Sequence, residues 1–175
     1  MDFFEVLRRR RSIRVFEAKE VEEYLLERLL KYTFFAPSSR GRRPWHFVVV
    51  RNRKTLVALS RAKRGGGARG LEGASAAIVV VARERESGVW IEDLSVASTY
   101  LLLIAEALGL GAFWIQIRGR VREDGEPSEE YVRRLLKIPE GFRVLSIIAL
   151  GHPGEEKDPH TDDEYMPKRV HREVW

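Results

Sequence analysis

The sequence predicts one domain that mixes helices with four short strands around a single buried helix. The first observation is the stretch Ile91–Leu108, IEDLSVASTYLLLIAEAL. Its first half is polar on one side, whereas its second half is apolar except at Glu106, and a helix apolar nearly all round is a buried one. At about 1.5 Å per residue it spans roughly 27 Å, and Glu92, Asp93 and Glu106 argue against a membrane span. The second observation is four strand-like runs, Trp45–Val50, Ala76–Ala82, Ala112–Ile117 and Val144–Leu150, set among segments of helical periodicity. The third is size: 175 residues, 44% of them hydrophobic, suit one domain burying about 70% of its unfolded surface. Neither a repeat nor a long linker divides the chain.

Each element has a local cause. Phe3, Phe4, Val6 and Leu7 recur at helical spacing before the basic run Arg8–Arg11, and cations suit a helix C-terminus. Ser12–Phe16 then exits as extended chain. A second helix is expected over Val21–Phe35, with Val21, Tyr24, Leu25, Leu29 and Tyr32 on its apolar face. Ala36–Pro44 is too dense in Pro, Ser and Gly to be anything but a loop. A helix over Lys54–Ala62 follows the first strand. The glycine-rich Gly65–Gly70 lacks the Lys-Ser or Lys-Thr of a phosphate-cradling loop and reads as a mobile linker or lid. Gly109 and Gly111 follow a helix instead of opening one, so they read as a C-terminal cap and not as a dinucleotide fingerprint. Ser128–Lys137 forms a last short helix with Ser128 as its N-cap. From Gly151 the chain becomes a charged tail ending in Val170, Val174 and Trp175, a pattern that fits wrapping along a surface.

Composition narrows the function. Without cysteine there are no disulfides, thiolate metal sites or cysteine nucleophiles. The N-terminus MDFFEVL is broken by Asp2 and Glu5 and no later segment spans a membrane, so a soluble, cytoplasmic protein is expected. The net charge of +5 points to anionic partners, nucleic acid or a phosphorylated small molecule. No RRM, KH or helix-turn-helix pattern accompanies that charge, so a nucleic-acid-binding module rests on charge alone. His46, His152, His160 and His171 lack metal-ligand spacing, and the carboxylates form no acid–base pair. No metal site and no catalytic side chain is assigned.

The cations gather in three places: Arg10-Arg11-Ser12-Ile13-Arg14, the loop Pro37–Trp45, and Pro167-Lys168-Arg169. In an extended segment Arg10, Ser12 and Arg14 share one face, offering guanidinium forks and a hydroxyl to one anion. With APSSRGRRPWHFVVV, EDLSVASTYLLLIAEALGLGAFWIQ, LSIIALGHP and the terminal KR before VHREVW, the segment RRSIRVF resembles the FMN-dependent nitroreductase family over nearly the whole chain. The resemblance implies an α+β fold, a central mixed sheet of about four strands plus a strand supplied by a partner, flanked by helices. It also implies an intertwined homodimer with residues 151–175 wrapping the other subunit. FMN would lie at the interface, with Arg10, Arg11, Ser12 and Arg14 holding its phosphate and ribityl chain. Lys168 and Arg169 would complete the phosphate site, Pro37, Ser38 and Ser39 would come from the other subunit, and backbone around Gln116 and Ile117 would pass the reactive edge.

The activity so implied is electron transfer from NADH or NADPH to a small organic acceptor such as a nitroaromatic or quinone. Phe113, Trp114 and Phe35 are candidates for an apolar shelf over the flavin. In the loop, Gly41 and Arg43 stand where the family commonly has Asn and Gln, which loses two amides and adds a cation. That departure keeps relatives that dehalogenate, desaturate or fragment flavin open as alternatives.

Overall fold

The computed structural model describes residues 2–175. The main elements are α1 (Phe3–Arg9), α2 (Glu23–Thr33), β1 (Trp45–Val50), α3 (Arg53–Leu59), β2 (Ala76–Arg83), α4 (Trp90–Ala107), β3 (Gly111–Gln116), α5 (Ser128–Leu136) and β4 (Phe142–Gly151). The fold is α+β, and the four strands form one sheet in the order β1-β2-β4-β3. Mixed pairing was expected; all three strand pairs are antiparallel, and the parallel contact is the single bridge Ser12 to Ala112.

The two inner strands are buried on both faces. Ile78 and Val80 of β2 join Leu94, Ala97 and Leu101 of α4 in one core, while Val79 and Val81 face Leu56, Leu59 and Val132 in a second core. In β4 the register shifts between Val80 and Val81, which pair with Ser146 and Val144 and leave Leu145 as the extra residue. A bulge of one residue switches faces. Val144 therefore points into the second core, whereas the Ser146 hydroxyl lies 3.0 Å from that of Ser98 on α4. The carbonyl of Leu145 receives the N–H groups of Ile117 and Arg118, both at 3.0 Å, and so ends β3.

Several local expectations are corrected by tertiary context. β1 pairs only with β2, so it is an edge strand; His46 and Val49 are exposed, and the fully buried reading holds only for Trp45 and Val50. α4 is buried on the side facing the sheet through Leu94, Ala97, Leu101 and Ala105, but Thr99 is exposed and Tyr100, Leu102 and Leu103 are half-buried. Its other flank is uncovered. Gly109, at φ +74°, ends the helix, and the Leu110 N–H returns to the Ala105 carbonyl at 2.8 Å. α2 starts only at Glu23, and Tyr24 and Tyr32 are exposed instead of core. α3 ends earlier than expected, at Leu59, behind an Asn52 cap. α5 is capped by Pro127, and Ser128 is a buried first-turn residue with no hydrogen bond for its hydroxyl. The glycine-rich segment is folded into short 3-10 turns, tied by Arg64 N–H to the Val121 carbonyl at 2.9 Å and by Gly65 N–H to Glu123 at 2.7 Å. No helix is long and apolar enough to cross a membrane among the described residues.

The sheet's centre carries the stability. Ile148, fully buried between β2 and β3, should cost about 2–5 kcal/mol on truncation to Ala. Val49→Ala on the edge strand should cost below about 1 kcal/mol. Urea denaturation of the two variants checks the order; equal losses would contradict the edge placement of β1.

Candidate functional site

The segment from Arg10 to Phe16 is held flush between the edge strand β3 and the first part of the tail. On the β3 side, the Ile13 N–H donates to the Ala112 carbonyl at 3.0 Å. On the tail side, Phe16 bridges Pro153, Glu17 N–H reaches the His152 carbonyl and Gly154 N–H the Val15 carbonyl, both at 2.9 Å. Such an approach leaves no room for side chains opposite. A Cβ on Gly111 would stand 2.8 Å from Ile13, and one on Gly151 2.6 Å from Phe16.

The tail fastens the segment further along. The Glu155 carboxylate accepts from the N–H groups of Arg14, at 2.5 Å, and Val15, at 3.1 Å. Those N–H donors, the one on Arg14 foremost, hold the Glu155 carboxyl below its usual range. Lys157 Nζ donates to the Ser12 carbonyl at 2.7 Å, Arg11 donates to the Asp158 carbonyl, and the His160 N–H reaches the Arg8 carbonyl at 2.8 Å.

Side chains alternate across the segment as its extended form requires. Arg9, Arg11 and Ile13 line a cleft of about 410 Å³ with Glu106, Glu155 and Lys157. Burial pushes the Glu106 carboxyl up, against the pull of Arg9 and Arg10. Ser12 and Arg14 lie outside this lining; the Arg14 guanidinium stands over the Phe113 ring at 5.4 Å and reaches the Ser12 carbonyl at 3.4 Å. Among the described residues, the Arg14 guanidinium has no carboxylate partner and the Ser12 hydroxyl makes no hydrogen bond. Arg10 is engaged by His160, 3.2 Å from its Nη2.

Gly70, read from the sequence only as part of a mobile run, belongs beside this cluster together with Phe113, a candidate for the shelf. A Cβ on Gly70 would stand 2.7 Å from the Phe113 ring and 3.1 Å from the Arg14 carbonyl. Phe113 is 1% exposed and stacks on Phe16, so it supports Arg14 from beneath and cannot serve as an open shelf. Phe35 is exposed, and Trp114 is half-buried with its Nε1 donating to Gln116 at 3.0 Å. The other amide end of Gln116 donates to the Arg118 carbonyl, while Ile117 is buried with its N–H taken by Leu145. Gln116 lies four residues along β3 from the Ser12 bridge, about 13 Å at 3.3 Å per residue.

The remaining candidates lie elsewhere. In the loop, Ser39 N–H donates to Asp93 at 2.7 Å, Ser87 donates to the other carboxylate oxygen at 2.7 Å, and Asp93 is 4% exposed. Arg43 N–H donates to the Ser38 hydroxyl at 2.8 Å, and Arg40 and Arg43 both hold positive φ. Pro37, Ser38 and Ser39 therefore sit at the start of α4. The Arg9 to Glu106 pair, at 3.5 Å, puts the Arg10–Arg14 segment at its end. Asp93 and Glu106 are thirteen residues apart on the helix, which separates the two groups by about 20 Å. Lys168 and Arg169 occupy an exposed turn, and no hydrogen bond or ion pair joins them to Arg10, Ser12 or Arg14. One chain thus gathers Arg10, Arg11, Ser12 and Arg14 on one segment, and Gln116 and Ile117 on the adjoining strand, but not the other two groups.

These features define a single-sheet α+β domain with a basic segment strapped to the sheet's edge. The chain belongs to the nitroreductase family: the profile of the family described as Nitroreductase family matches residues 7–70 and 62–152. A protein of Archaeoglobus fulgidus that carries the provisional name NADH dehydrogenase/NAD(P)H nitroreductase is 40% identical over 171 residues, 95% of this chain and 94% of its own. A Methanothermobacter thermautotrophicus protein with the same provisional name is 39% identical, over 100% of this chain and 88% of its own. Among solved structures, an FMN-dependent nitroreductase from Clostridium difficile superposes with a TM-score of 0.95 at 40% identity, covering 98% of this chain and 99% of that one.

Glu155 makes the strap testable by pH. Because its folded carboxyl titrates below the usual 4.5, its contribution is present above that value and is lost as pH falls through the depressed one. Glu155→Gln should speed amide exchange at Arg14 and Val15 at pH 6. In the parent the same two amides should lose protection only on acidification below about pH 4.5. Protection at pH 6 that survives the substitution would show that the carboxylate does not hold the segment.

Proposed function

We propose that the protein is an FMN-dependent oxidoreductase working as a homodimer, taking electrons from NADH or NADPH and giving them to a small organic acceptor such as a nitroaromatic or quinone. The observation that carries this reading is the unpaired donor set beside β3, the Ser12 hydroxyl and the Arg14 guanidinium, on a chain of the nitroreductase family. A phosphate of nearly two negative charges suits that set, and the close approach at Gly70 and Gly111 shapes the backbone around it. Arg10, Ser12 and Arg14 would hold the phosphate, with Arg11 alongside, Lys168 and Arg169 joining them and the flavin running along β3 toward Gln116 and Ile117. When bound, FMN would supply the two-electron chemistry, donor and acceptor using one pocket in turn. The chain's own part is to bind and orient: no histidine or carboxylate here is assigned a proton.

The dimer rests on separate observations. Pro37, Ser38 and Ser39 cannot reach the Arg10–Arg14 segment of their own chain across the length of α4. Apolar side chains are also left exposed, Phe3, Phe4 and Leu7 on α1 and Tyr165, Met166, Val170, Val174 and Trp175 on the tail, while Leu102 and Leu103 on the outer flank of α4 are half-buried. Apolar surface of this kind is what a second copy covers. Arg43, at φ +49°, stands in the loop this arrangement brings to the other subunit, where its cation would bear on the choice of acceptor.

Two experiments test the reading. The purified protein should be yellow and release FMN on denaturation, and Arg14→Ala should bind FMN roughly ten- to hundredfold more weakly, the loss of one charge-assisted hydrogen bond. Flavin retained equally by parent and variant through dialysis would count against the phosphate assignment. Truncation before Tyr165 should lower both dimer content by sedimentation and flavin content by absorbance. A truncated chain that stays dimeric and fully yellow would rule out the tail's part.

A further inference from the structure

We propose that His160 is a positioning residue for Arg10, and that its protonation loosens the grip on the cofactor phosphate; this rests on the FMN reading above. The imidazole sits between two groups that make opposite demands on it. Nδ1 lies 2.7 Å and 2.9 Å from the two carboxylate oxygens of Glu164, which only accept, so Nδ1 carries a proton. Nε2 is 3.2 Å from Arg10 Nη2, which only donates, and 3.2 Å from the Arg10 carbonyl oxygen, which only accepts. Nε2 can satisfy one of them at a time, and the ring's charge decides which.

With the ring neutral, the proton on Nδ1 leaves a lone pair at Nε2 that accepts from the Arg10 guanidinium. Arg10 is then held by one of its five N–H donors, with the other four free for an anion. On protonation Nε2 gains a hydrogen, which turns to the Arg10 carbonyl. The guanidinium loses its acceptor and faces a second cation at 3.2 Å. No other side-chain hydrogen bond or ion pair of Arg10 is present among the described residues to keep it in place.

The surroundings hold the ring where both states are reachable. The His160 N–H donates to the Arg8 carbonyl, and Thr161 and Glu164 close a capping box around the next turn. The charged groups facing it are Arg8, Arg10 and Arg11 from the end of α1, and Asp158, Asp162 and Glu164 from the tail. Arg8 is paired with Asp162 at 2.8 Å and Arg11 is turned to the Asp158 carbonyl, so Arg10 is the cation whose partner is His160 itself. The Glu164 carboxyl is held below its usual range, by His160 foremost, so it is ionised near neutral pH. Histidine is the side chain whose ordinary titration falls between about pH 5 and 8.

The phosphate of FMN also gains a proton in this range, so the test needs variants that separate the two titrations. The purified yellow protein is diluted serially at pH 8.0 and pH 5.5, and the dissociation constant is read from the fluorescence of released FMN. The parent should weaken by about tenfold more over this interval than His160→Gln, whose side-chain oxygen can accept from Arg10 but does not titrate. At pH 8.0 His160→Gln should match the parent, and His160→Ala should bind FMN about tenfold more weakly, with unchanged near-ultraviolet circular dichroism showing that both variants fold. Equal pH dependence in parent and His160→Gln would assign the whole effect to the flavin phosphate and overturn the proposal, as would unchanged affinity in His160→Ala. A folded parent that holds no FMN at either pH would sink the flavin reading, and this inference with it.

Discussion

The constraint on which the site depends is the approach of one backbone to another without side chains between them. The N-terminal segment can lie against β3 because Gly111 presents no Cβ to Ile13, and against the tail because Gly151 and Gly154 present none to Phe16 and its backbone. Ile13 and Phe16 fill the space those glycines leave. That packing fixes which way the alternate residues point, since a buried Ile13 in an extended segment turns Ser12 and Arg14 away from it. The orientation of the cations is therefore set first by apolar packing, and the tail's Glu155 and Lys157 then fasten the backbone between them. Gly70 adds a fourth contact of the same kind beneath Arg14, through Phe113.

The sheet and the site meet at the bulge in β4. If β4 ran through Leu145 in regular register, Val144 and Ser146 would share a face, and a polar group would enter one core or an apolar one would leave the other. With it, the carbonyl of Leu145 swings to collect the N–H groups of Ile117 and Arg118, and β3 stops at Gln116. The distance from the Ser12 bridge to the free end of β3 is thus set by a register shift two strands away from the N-terminal segment. Bulges re-aim chain next to functional surfaces for this reason.

Much of this was legible in the sequence because it rests on local periodicity. The period-two spacing of Arg10, Ser12 and Arg14, the apolar runs of the strands, the long apolar helix and its glycine cap all survive into the structure within a few residues. What the sequence concealed is set by distant neighbours. WHFVVV reads as a buried strand, yet its place at the sheet edge depends on β2 alone pairing with it. Tyr24 and Tyr32 satisfy a helical period but sit on a flank that nothing in the same chain covers. Gly70 hid in a glycine run that composition describes as flexible, when its role is to clear space for a ring more than forty residues later. Glu155 and His160 looked like ordinary members of a charged tail, because their partners lie about 140 to 150 residues upstream.

The geometry of α4 links the remaining pieces. Its two ends carry the two halves of the proposed site, the Ser38–Arg43 loop pinned by buried Asp93 at the start and the Arg10–Arg14 segment beside Glu106 at the end. A two-fold axis perpendicular to such a helix at its half-buried flank would set the two copies antiparallel, because half a turn about that axis reverses the helix direction. The start of one helix then lies beside the end of its partner, and the separation of about 20 Å within a chain becomes proximity between chains. The same operation occurs twice, so the dimer we propose would contain two equivalent sites, each drawing its phosphate donors from one subunit and its arginine loop from the other. Monomeric chains would keep the Ser12 and Arg14 donors but leave them open to water, where charged contacts are weakest. In this arrangement the half-buried apolar flank of α4 and the separation of the basic segments have one cause.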